Sequence, residues 1–109
     1  MKKESVKVTG EASETQIKQW KLKHGDVFAI EIDIDENEKA VGYFKKPDLS
    51  ILAMAQRFQE DKIKAGEVLF ENLWLGGADI IKEDDMVKLS VMQKFPTLVE
   101  LKQATIKKL

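Results

Sequence analysis

The chemistry open to this chain rests on few side chains. It has one histidine, His24, and no cysteine, which excludes a thiolate nucleophile, a disulfide framework and Cys-ligated or paired-His metal sites. As a general base His24 would need a nucleophile and an orienting carboxylate, and the sequence specifies neither. A cation favoured by a helix C-terminus accounts for it as well. Asp33, Asp35 and Asn37 have the spacing that opens a calcium loop. That loop then requires Gly where the chain has Glu38, and Glu where it has Phe44, so a polar hairpin turn is the better account. Glu83, Asp84 and Asp85, with Asp79 near by, could offer paired carboxylates for acid–base work or a divalent metal. Consecutive helical residues face apart, however, and acids gather at helix N-termini for dipole reasons. Gly76-Gly77 could cradle a phosphate only after a strand, before a helix and beside a basic residue. The pair instead follows a helical pattern and reads as a helix stop. Lys18, Lys21, Lys23, Lys45 and Lys46 lie near Trp20, Tyr43 and Phe44, the ingredients of a single-strand nucleic-acid platform. Near-neutral charge and an acidic strand face oppose that reading. The residues point to no enzyme, no cofactor and no metal.

The composition agrees. The chain has 109 residues, 18 basic against 19 acidic, for a formal charge of -1, so no general field attracts nucleic acid or anionic lipid. With 43% apolar and 34% charged residues it has the balance of a single folded globular domain. The longest apolar run, Ile51 to Ala55, is far short of the roughly 20 residues a membrane span needs. Met1-Lys2-Lys3 is basic with no apolar stretch behind it, unlike a signal peptide.

The elements that must position these residues follow from periodicity. Residues 1–12 alternate charge with small residues and predict a flexible arm, with a short extended piece at Val6-Lys7-Val8. Ser13-Glu14-Thr15-Gln16 is a capping box opening a short helix, with Ile17 and Trp20 on one face and Gly25 as its stop. From Asp26 the period becomes two: Phe28, Ile30, Ile32 and Ile34 point one way, Ala29, Glu31, Asp33 and Asp35 the other. After the polar turn Asp35–Glu38, the strand returns over Lys39–Lys46 and ends at Pro47, an antiparallel hairpin. Helical spacing follows. One helix, capped by Asp48, carries Ile51, Leu52, Ala55 and Phe58. A second runs from about Ile63 through Phe70 and Trp74. A third starts at Glu83–Asp85 and carries Val87 and Val91. A fourth starts at Pro96, with Leu98, Leu101, Thr105 and Leu109 on one side. The fold class is therefore α+β, in a single domain over 13–109: a short N-terminal helix, an antiparallel hairpin, then three to four short packed helices.

Several stretches together resemble small tail assembly chaperones of tailed bacteriophages and prophages. They are Gln16–Lys21 running through His24-Gly25-Asp26-Val27-Phe28, the hairpin return Tyr43-Phe44-Lys45-Lys46-Pro47, Leu69-Phe70-Glu71-Asn72-Leu73-Trp74-Leu75-Gly76-Gly77, and the Lys-rich close Leu101–Leu109. The resemblance spans about 90 residues through short, degenerate motifs. It implies a non-enzymatic protein of the bacterial host cytoplasm that binds the long helical tape-measure protein and leaves as the tail tube assembles. Such proteins are commonly made in two lengths by a translational frameshift. The family supplies no catalytic residues. A structural tail-completion or connector subunit kept in the particle, or a prophage-encoded adaptor, are the alternatives.

An amphipathic helical client would be held by apolar anchors between helices. Phe70, Trp74 and Met86 are the candidate lining, Met92 an adaptable contact, and Trp20 a further partner-facing aromatic. Each can equally be core. Self-association into a homo-oligomer is also expected.

Overall fold

The computed structural model describes residues 6–99 and 101–109. The expected α+β class is what it shows: five short helices and a four-stranded sheet. Strand β1 is Lys7–Thr9, helix α1 Glu14–His24, and β2 (Val27–Asp35) and β3 (Glu38–Lys45) form the hairpin. Helices α2 (Leu49–Gln56) and α3 (Lys62–Leu73) lead to β4 (Trp74–Gly77), then α4 (Asp79–Glu83), α5 (Asp85–Met92) and a 3-10 turn, Phe95–Leu98.

The helix starts are set by side-chain caps. Ser13 Oγ accepts from the Gln16 N–H at 3.1 Å, Asp48 from Ile51 at 2.9 Å and Asp61 from Lys64 at 3.0 Å. Each satisfies a backbone donor that the first turn leaves unpaired.

Strand β3 is the centre of the sheet. It pairs antiparallel with β2 along one edge; the other edge is shared end to end by β1, parallel at Lys7↔Glu38 to Thr9↔Ala40, and β4, antiparallel at Gly42↔Gly77 to Phe44↔Trp74. That position explains why β3 is buried on both faces, from Ala40 through Phe44. Phe28, Ile30, Ile32 and Ile34 stand opposite or beside Ala40, Gly42 and Phe44 and face α3 to α5. The other face carries Val41 and Tyr43, with Trp20 of α1 over Tyr43 at 5.4 Å between ring centroids. On the same face Lys39 lies 3.9 Å from Glu31 and 3.8 Å from Asp33. Phe44 is the pivot of the core: Phe70, Trp74 and Phe95 surround it edge-on at 5.6, 5.5 and 5.2 Å.

Three expectations need correction. The arm over 1–12 is not free in its described part. Residues 7–9 pair with β3, Gly10 packs on Ala78, and the Ala12 N–H reaches Tyr43 Oη at 3.2 Å; residues 1–5 lie outside the described residues. Gly76-Gly77 is not merely a helix stop, since it forms the second half of β4. The fourth helix from Pro96 does not form. Only the 3-10 turn is helical, and residues 101–109 are outside any helix or strand and fully exposed. A short helix with no surface to pack on is unstable in water, and Thr105-Ile106 adds β-branched residues that resist the helix.

Candidate functional site

The five candidate partner-facing residues do not converge. Phe70 is 3% exposed, stacked on Trp74 at 5.2 Å and 17°, so it is core. Trp74 keeps a partly open side, but the Lys82 ammonium stands 5.8 Å over its ring. Trp20 lies across the sheet from both, covering Gly76, where an added Cβ would meet the indole at 3.1 Å. Phe70 is therefore core rather than lining, whereas Trp74 is half-buried: β4 draws it into the sheet with one side of its ring on the aromatic cluster. Met86 and Met92 do come together, along the seam between α3 and α5.

That seam is concave. A groove of about 530 Å³ has Ile63, Gly66 and Leu69 of α3 on one wall and Leu89 and Met92 of α5 on the other, closed at one end by Phe95 and Pro96. A second hollow of about 300 Å³ continues it, sharing Ile63, Leu89 and Met92 and adding Met86. Ile63 and Met86 stand 58% and 67% exposed on the rim, an apolar exposure the fold itself does not use. Glu67, Asp85, Lys62 and Lys88 border the two hollows with both signs of charge. Gly66 opens the groove, because a Cβ there would lie 2.7 Å from Met92 Cε. Sequence reading missed Gly66; the signal was a glycine inside a helical pattern, three residues before Leu69.

The remaining candidates resolve into structure. Asp35 Oδ1 accepts from the Asn37 N–H at 2.8 Å, closing the hairpin turn, while Asp33 faces Lys39. Asp84 caps α5, accepting from Met86 and Val87 at 3.0 and 3.1 Å. Among the described residues no three His, Cys, Asp or Glu side chains are grouped to hold a metal, and no helix is long and apolar enough to cross a membrane.

His24 sits at the C-terminal end of α1, where a helix dipole alone would favour its cation. Burial, then Lys45, then Lys23 instead hold its pKa below the ordinary 6.5. The unfolded chain thus takes up this proton more readily. The stability tied to neutral His24 is present above about pH 6.5 and lost as pH falls through that value. We expect His24→Gln to narrow the fall in urea midpoint between about pH 7.5 and about pH 5.5; an unchanged fall would remove His24 as its source.

No family model matches this chain, and comparison with curated proteins and with solved structures found no match either.

Proposed function

We propose that the protein is a client-binding, non-enzymatic tail assembly chaperone of a phage or prophage, acting in the bacterial cytoplasm on the helical tape-measure protein. The observation that carries this reading is the α3–α5 seam, whose two hollows lie end to end with an apolar floor and rims of both charges. An amphipathic helix fits such a site: its apolar stripe fills the floor while its flanks meet Glu67, Asp85, Lys62 and Lys88. Methionine suits a surface that must accept many turns of one long client, since its thioether chain repacks at little cost. The sequence resemblance supports the identity of that client.

Ile63→Glu with Met86→Glu tests it. Both side chains are exposed, so the fold should persist, while two carboxylates on the rim should lower recovery of the tape-measure protein in a tagged pull-down at least about tenfold. Unchanged recovery would exclude the seam. Presence of the protein in finished particles would replace the chaperone reading with a retained connector or completion subunit.

A further inference from the structure

Strand β2 ends the sheet with an open edge. Among the described residues it pairs only with β3, so its outward N–H and C=O groups offer a template for another strand. The edge is long, nine residues. Residues 26–36 carry Asp26, Glu31, Asp33, Asp35 and Glu36 and no cation, and with Lys39 against Glu31 and Asp33 the stretch stays acidic on balance. A hollow of about 350 Å³ runs beside it, between Ile30–Asp33 and the end of α5 at Ser90, Val91 and Lys94.

The C-terminal segment has the opposite character. Residues 101–109 carry Lys102, Lys107 and Lys108 and no acid. They lie outside any helix or strand, and among the described residues no backbone–backbone hydrogen bond reaches them. Leu101, Ile106 and Leu109 are almost fully exposed, so the segment does not lie on its own chain. The molecule measures 66 × 32 × 29 Å, and nine extended residues span about 30 Å, enough to account for the excess length and to match β2.

We infer that residues 101–109 of one copy add as a strand to the open β2 edge of a second copy. Alternation puts Lys102, Ala104, Ile106 and Lys108 on one face of the arm, that of Glu31 and Asp33, and Leu101, Gln103, Thr105, Lys107 and Leu109 on the other, that of Phe28, Ile30 and Ile32. The register shift between Asp33 and Asp35 ends the regular alternation of β2 there. Lys107, on the apolar side near the arm's end, reaches water along its stem. Main-chain bonds provide attachment and the charges select this edge. Reciprocal exchange gives a closed two-fold dimer with both edges covered. This inference is independent of the α3–α5 seam.

Light scattering on size-exclusion eluate gives the test. The full chain should elute as a dimer, and K102E/K107E/K108E should weaken dimerisation at least about tenfold. Mixing that variant with E31K/D33K/D35K should restore dimers across the reversed pair. Four results would overturn the inference. They are a monomeric full chain at its highest workable concentration, a dimer that survives removal of 101–109, failure of the mixture to associate when both variants keep native circular dichroism, and a monomer whose arm is protected from hydrogen exchange on its own β2 edge.

Discussion

Replacing Gly77 with alanine is expected to lower stability by about 3–4 kcal/mol, and Tm by about 15 °C. Two causes add. Gly77 has φ +145°, a conformation closed to L side chains, and its Cβ would lie 2.4 Å from the Val41 carbonyl oxygen and 2.7 Å from Gly42 Cα. Neither neighbour is a flexible side-chain tip, and both belong to the central strand, so β4 must leave β3 to make room. Strand β4 bears Trp74 at its start and leads directly to Ala78, whose N–H bonds Val41 at 3.0 Å, so its displacement loosens the aromatic cluster too. Gly25→Ala is the control. Gly25 also has positive φ, +83° with ψ -130°, but an added Cβ meets nothing within 4 Å, so only the backbone cost, about 1–3 kcal/mol, applies. Urea unfolding of both variants checks this; equal losses would show that conformation alone, not the approach of β4 to β3, sets the cost.

Phe44→Ala should cost a comparable 3–5 kcal/mol, about the whole stability of a weakly stable small domain. Phe44 is fully buried, and its ring is the common neighbour of Phe70, Trp74 and Phe95. Removing it forfeits three edge-to-face contacts and leaves a cavity whose walls belong to α3, β4 and the 3-10 turn. Those elements cannot all collapse onto one missing ring. Phe44→Leu keeps much of the volume and should cost under about 2 kcal/mol. Leu49→Ala, at a position 85% exposed, should change stability by under about 0.5 kcal/mol. Chemical denaturation followed by the fluorescence of Trp20 and Trp74 together orders the three variants. Similar losses at Phe44 and Leu49 would refute the central role of the cluster.

What could be read from the residues was local. The hairpin was legible because Phe28, Ile30, Ile32 and Ile34 repeat at two against acids, and α1, α2 and α5 because Ser13, Asp48 and Asp84 or its neighbours mark helix starts. Pairing between distant segments was not. Nothing near Val6–Thr9 or Trp74–Gly77 says that both lie along one edge of β3, since strand partners are chosen by burial and register across the chain. The C-terminal helix was a false reading of the same kind: Leu98, Leu101, Thr105 and Leu109 have helical spacing, but spacing forms a helix only where a surface receives it. The seam was half legible, through Met86 and Met92, whereas Phe70, an equally apolar candidate, is core and Trp74 lies half-buried against it. Chemistry alone does not separate an anchor from a core side chain; Gly66 stands out in the sequence as a glycine within a helix, but that it opens the groove shows only once α3 and α5 are side by side.

The placement of Phe95 against Phe44 has a consequence for vectorial synthesis. The hairpin is complete once residue 45 has been added, yet the ring that closes its apolar face comes fifty residues later in the chain and Leu98 later still. A nascent chain therefore keeps part of this apolar face open until Phe95 and Leu98 have been added. A ribosome stalled before Phe95 holds a chain whose core lacks its last two members, Phe95 and Leu98, and stays open beside Phe44.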